Sequence, residues 1–229
     1  MHRWLAALVV CLAVTVGVPW WWYASRPAAN EGVPVAVVGA PVAAPSRATP
    51  GPGSPAGAGT PTLPTPTAHA AAGGTASGRP PVRLRIPGLG VDAAVLPVGV
   101  DARGDMVVPR EAQQVGWYRF GPAPGDPAGA VVVAGHVDTK QEGAGALFPL
   151  RAVRVGDRVG ITVAGGRVVS YRVVGKQTIV KQRLPVERLF ARDGVPRLVL
   201  ITCGGPFLPE VSSYRDNLVV VAVPEAGTP

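Results

Sequence analysis

Beyond residue 80 the chain carries one cysteine, Cys203 in "LVLITCGGPF", and one histidine, His136 in "AVVVAGHVDT". A thiol attacks an acyl carbon well once a neighbouring base can exchange its proton and a donor can hold the oxyanion. Histidine supplies the first. Arg215 in "SSYRDN" can supply the second, because a guanidinium stays charged at any working pH. The other cysteine, Cys11, lies in an apolar N-terminal run, so the part of the chain that holds Cys203 has no partner for a disulfide. One Cys and one His also fall short of the four ligands of a usual zinc site. Each residue has a plainer reading. Cys203 can be a small buried hydrophobe, His136 a satisfied strand-end histidine, and Arg215 the partner of Asp216 or Asp138 at the surface.

Both His136 and Cys203 follow an apolar run, Val131 to Val133 and Leu198 to Ile201, and both adjoin glycine. Strand ends of this kind allow tight turns and close approach of a ligand to the main chain. The surrounding sequence repeats the pattern. "VRLRI", "VDAAVLPVGV", "RVGITVAGG", "RVVSYRVVGK", "QTIVKQ", "RLVLITC" and "NLVVVAV" are β-branched runs separated by Gly and Pro. Short strands at such spacing predict an all-β barrel or sandwich. "VAGGRVVSYRVV" predicts a hairpin turning at Gly165 and Gly166. Only "GALFPLRAV" and "LPVERLFARDG" invite short helices, the second ending at Gly194.

The N-terminal part is of a different kind. Trp4 to Ala24 is an uncharged, predominantly apolar run, and about 20 such residues suffice to cross a bilayer as a helix. Trp20, Trp21, Trp22 and Tyr23 form an aromatic belt at its far end, and Arg3 favours a cytoplasmic N-terminus. A cleaved signal peptide is the rival reading, but the bulky aromatic cluster suits its cleavage pattern poorly. Of the chain's 30 Gly and 26 Pro, many crowd between residues 27 and 80, a stretch rich in Ala, Pro, Gly, Thr and Ser. Such a composition predicts a disordered linker, on the order of 40 Å long as a coil and up to about 150 Å when extended. The expected organisation is an N-terminal transmembrane anchor at 1–26, a linker at 27–80 and a catalytic domain at 81–229. The catalytic domain would then lie outside the cell, on a single-pass membrane protein.

Most of the net charge of +8 falls on the last of these segments. Without basic clusters or interleaved aromatics it argues against nucleic acid and for non-specific attraction to anionic wall polymers and headgroups. Asp101, Asp105, Asp138 and Glu142 are scattered, so no metal and no other cofactor is expected.

"AGHVDT" with "LFPL" after it, then "LVLITCGGPF", then "SYRDNLVVVAV", closely resembles the signature segments of the sortases, and within them the class F group of actinobacteria. The resemblance runs from about Val82 to Val223. It implies an eight-stranded β-barrel transpeptidase that recognises a Leu-Pro-x-Thr-Gly-like (LPXTG-like) signal on a secreted protein. Cys203 matches the nucleophile, His136 the proton-exchanging histidine and Arg215 the residue that positions substrate and holds the oxyanion. An amine, such as that of a peptidoglycan precursor, would resolve the thioester. Leu184, Pro185, Leu189 and Phe190 are the expected wall for the Leu-Pro pair, with Thr202 and Tyr214 as further substrate-binding candidates. Two alternatives stand beside this reading. An L,D-transpeptidase or cysteine peptidase also pairs Cys with His, although the Ser-His-Gly-Cys pattern of the former is missing. A sortase-like barrel could also bind a sorting signal or wall polymer without turning it over.

Overall fold

The computed structural model describes residues 30–34 and 78–225. Eight strands form a closed barrel: β2 (Pro81–Ile86), β3 (Val91–Val98), β4 (Gln114–Tyr118), β5 (Ala130–Gly135), β8 (Arg158–Val163), β9 (Val168–Val180), β10 (Arg197–Leu208) and β11 (Ser213–Pro224). Their order is β9-β11-β10-β5-β4-β3-β2-β8, and β8 pairs back onto β9. A barrel leaves few free sheet edges, which suits a chain so rich in β-branched residues. The pairs β10–β5 and β3–β4 are parallel and the other barrel pairs antiparallel. A small ribbon of β6 (Asp138–Thr139) and β7 (Gly143–Ala144) follows β5.

Alternation along the strands sorts apolar side chains onto two faces. Leu84, Val133, Ile161, Tyr171, Leu198, Leu200, Leu218 and Val220 point into the barrel and form the main core. Val132, Ala134, Val199, Ile201, Val219 and Val221 point outward and form a second cluster with Leu189, against which Met106, Val108, Ile179, Leu184 and Phe190 pack. The long β10 and β11 are therefore apolar on both faces, as "LVLIT" and "LVVVAV" require.

The predicted hairpin is present, with Gly165 and Gly166 at φ +92° and +87° between β8 and β9. "RVVSYRVVGK" and "QTIVKQ" join into the single strand β9, bent by a bulge opposite Val221 and Ala222. β4 was not foreseen: "QVGWY" lacks alternation because it is covered on both sides. Of the two helical stretches, the first is a 3-10 turn, Phe148–Ala152, and the second is one α-helical turn, α1 (Val186–Leu189). Gly194 does not end α1, whose C-cap is Phe190. Gly194 instead turns the chain at φ +75° and accepts the Gly129 amide with its carbonyl.

Within the stretch read as linker, Asn30–Pro34 lies on the barrel. Here β1 (Glu31–Gly32) pairs antiparallel with Gly175 and Lys176 of β9. The reason is a vacancy in pairing: β9 outruns β8, whose ladder ends at Arg172, so the second half of β9 has free backbone groups. The Val33 amide donates to Val174 O at 3.0 Å and the Thr178 amide to Asn30 Oδ1 at 2.8 Å. Composition alone could not show this, since main-chain pairing tolerates almost any side chain. The anchor, His69 and the rest of the linker lie outside the described residues. Among the described residues no helix is long and apolar enough to cross a membrane.

Candidate active site

The registers of β5, β10 and β11 place the three chemical residues on, or directly after, neighbouring strands. In the parallel pair β5–β10, Ile201 lies beside Ala134. The same register carried two residues further sets Cys203 level with His136, and neighbouring strands are about 4.8 Å apart. The Thr202 hydroxyl donates to Gly135 O at 2.8 Å, which ties β10 to the end of β5 at this level. On the other side Cys203 faces Asn217 of β11. Arg215 stands two positions before Asn217, so it shares the outward face with Cys203 and Ile201.

Each side chain has a defined partner. His136, half-buried, has Nε2 2.8 Å from Pro109 O, on the segment whose Met106 and Val108 pack on the outer cluster. The Gly145 position sits under the same turn, where a Cβ would lie 2.4 Å from His136 O. Arg215 is exposed and donates twice to the buried carboxylate of Asp216, at 2.8 and 2.9 Å. This hydrogen-bonded charge pair raises the guanidinium pKa above its ordinary value. Asp216 is therefore the partner, and Asp138 is engaged elsewhere: it accepts the Tyr214 hydroxyl at 2.5 Å. Burial above all, then that bond to a carboxylate, raises the Tyr214 pKa, so Tyr214 stays a donor. Burial also pushes the Cys203 thiol up, and the positive charge of Lys181 opposes that shift. Lys181 was missed in the sequence; only the alternation continuing from Ile179 hinted at its side.

Cys203 stands at a rim between two surfaces. One is a cleft at the barrel mouth, lined by Phe148, Arg151, Thr178, Thr202, Cys203 and Tyr214 among others. The other is the outer apolar face that runs back to α1. The predicted wall residues divide here. Leu184 and Phe190 are half-buried on the outer cluster, and Phe190 stacks edge-on against Tyr118 with ring centroids 5.1 Å apart. Pro185 is the N-cap of α1. Leu189 is only 2% exposed and belongs to the core, so it supports the wall without offering a surface. Thr202 likewise has its hydroxyl committed to Gly135, and Tyr214 to Asp138. The two positions therefore respond differently to truncation. Leu189→Ala is expected to cost about 2–5 kcal/mol of stability, read as a lowered Tm. Phe190→Ala is expected to raise KM for a Leu-Pro-containing peptide more than it lowers kcat.

Among the described residues no group of three or more His, Cys, Asp or Glu side chains is placed to hold a metal ion. The arrangement sets a thiol within β10, an imidazole just after the neighbouring β5 and a guanidinium on the other neighbour, β11.

A family model described as Sortase domain matches residues 84–225. That span is more than half of the chain and contains all three residues, and the chain belongs to the sortase family. Among solved structures it is similar to a lid mutant of sortase A from Corynebacterium diphtheriae, at 21% identity and TM-score 0.50 over 67% of this chain and 74% of that one. Sortase A from the same organism matches at 21% identity and TM-score 0.48, over 66% of this chain and 64% of that chain's length. Streptococcus agalactiae sortase C1, in complex with MTSET, matches at 21% identity and TM-score 0.48, over 62% and 67%. No curated protein matches significantly.

Proposed function

We propose that this protein is a membrane-anchored cysteine transpeptidase, class F-like among sortases. In this reading it cleaves an LPXTG-like signal on secreted proteins after Thr and passes the acyl group to an amine, such as that of a peptidoglycan precursor. The observation that supports the reading is the strand order β5–β10–β11, in which Cys203 lies on the strand between the one that His136 follows and the one that carries Arg215.

The chemistry follows from that arrangement. The Cys203 sulfur, as thiolate, attacks the Thr carbonyl carbon, and the oxyanion is held by Arg215 and main-chain N–H groups. The C–N bond breaks as protonated His136 gives its proton to the leaving amine, and a thioester remains. An incoming amine then attacks the thioester carbonyl and loses a proton to neutral His136. The C–S bond breaks, and the sulfur leaves as thiolate. Because burial holds the thiol pKa above its ordinary value, the reactive thiolate is a minority form at neutral pH, and groups that favour it matter. The outer apolar face, with Leu184 and Phe190, is the surface suited to the Leu-Pro pair. The exported location and the anchor at 1–26 belong to this proposal and rest on the apolar run and its aromatic belt.

The test is to incubate the full-length protein in detergent with a Leu-Pro-x-Thr-Gly peptide, with and without a glycine amine, and to follow intact-protein and peptide masses. An acyl adduct that the amine discharges faster than water supports transpeptidation. Peptide retained without an adduct would favour a silent binding barrel.

A further inference from the structure

The connection from β9 to β10, residues 181–196, holds the proposed Leu-Pro wall, yet Leu189 is its single buried side chain. One α-helical turn such as α1 does not persist by itself, so other groups must hold it. Arg197, the first residue of β10, is 3% exposed and takes no part in the proposed chemistry. Its guanidinium donates to Arg188 O in α1 at 2.8 Å and to Val195 O at 2.9 Å. One planar fork thus joins α1 to the end of the connection, a geometry that a guanidinium matches and an ammonium does not. A buried cation is costly unless its donors are used, and here the two carbonyls use them.

The main chain completes the clamp. The Ala130 amide donates to Ala191 O at 2.8 Å and the Gly129 amide to Gly194 O at 3.1 Å. Gly129 has φ +83°, and a Cβ on it would lie 2.5 Å from the Arg192 carbonyl, so glycine lets the connection lie this close. By alternation along β10, Arg197 shares the outer face with Val199, Ile201 and Cys203. Cys203 is six positions further along, about 20 Å of strand, so Arg197 is too far away to touch the reacting atoms.

We propose that Arg197 is a positioning residue of the substrate wall, fastening α1 to the start of β10 so that Leu184 and Phe190 stand ready on the outer face before a signal peptide arrives. The ligand it serves is the apolar Leu-Pro pair, and it acts on affinity rather than on the bond-breaking step. Its role in recognition rests on the sortase reading, but the clamp on α1 does not.

Hydrogen exchange on the full-length protein in detergent tests the clamp without any peptide. The Leu189 and Phe190 amides donate to Pro185 O and Val186 O at 3.0 and 2.9 Å. Arg197→Met is expected to speed their exchange about tenfold while the barrel strands keep their protection. With the wall docked about one-tenth as often, KM for a Leu-Pro-x-Thr-Gly peptide is expected to rise about tenfold. kcat should stay within about twofold, because bound peptide restores the wall. Arg197→Lys, which can serve one carbonyl, is expected to fall between, and iodoacetamide should alkylate Cys203 at the wild-type rate in both variants. Unchanged exchange in Arg197→Met overturns the clamp. Faster exchange with an unmoved KM, or with an equal loss in kcat or alkylation, overturns the role in recognition. Should Arg197→Met melt below the assay temperature, Arg197→Lys carries both readings, and unmoved exchange in it refutes the clamp. Faster exchange in a protein that never forms a peptide thioester would leave the clamp in place and remove the sortase reaction instead.

Discussion

Cys203→Ala is expected to abolish acyl-enzyme formation and to lower peptide cleavage by more than about 10⁴-fold, the scale seen when a covalent nucleophile is lost. The residual groups cannot replace it, because neither His136 nor Arg215 can form a thioester. The loss is expected to be chemical rather than structural. Cys203 is half-buried within β10, just before its bulge, so alanine removes one sulfur from a partly wet site, and Tm should move by no more than a few degrees. Two companions separate the roles. His136→Gln is expected to lose about 10²- to 10⁴-fold in kcat, the span of a general acid-base residue. Arg215→Met is expected to lose about 10²- to 10³-fold, the scale of one oxyanion donor. Adduct masses divide the steps: the histidine variant should still acylate slowly, whereas the alanine variant should never do so. An acyl adduct on Cys203→Ala would place the nucleophile elsewhere.

Lys176→Met is expected to destabilise the barrel by about 3 kcal/mol, with a Tm fall of about 6–12 °C for a domain of this size. Lys176 is 4% exposed on the inner side of β9. Its ammonium donates to Val153 O at 2.7 Å and to Arg151 O at 3.3 Å, and it pairs with Glu31 at 3.4 Å. Methionine fills the space of the aliphatic stem but leaves both carbonyls without that donor, and an unmade buried bond costs about 1–3 kcal/mol. Glu31→Gln tests the remaining contact. Glu31 is 39% exposed at its side chain, so its loss should cost well under 1 kcal/mol. The pair of variants thus separates the buried carbonyl bonds from the β1 contact. Equal losses from both would mean that docking of β1, not the carbonyls, holds this corner.

Several features were legible in the chain before folding. The all-β class follows from β-branched runs between Gly and Pro, the β8–β9 hairpin from two adjacent glycines, and the three chemical residues from the scarcity of Cys and His. Family membership was carried by contiguous segments around those residues. These are local properties, written in a few neighbouring side chains. Other features were not local. β4 lacks a period because both its faces are covered, and β1 docks through main-chain groups that leave no trace in composition. Leu189 and Phe190 are adjacent in sequence, yet one is core and the other surface, because a single helical turn points them in different directions. Asp216, not Asp138, partners Arg215, and Asp138 takes the Tyr214 hydroxyl, because the tertiary fold brings β6 against β11. The sequence by itself determined which groups can do chemistry and what kind of fold must hold them. Only the tertiary structure decided which groups meet, because pairing between strands distant in the chain depends on the closure of the whole barrel.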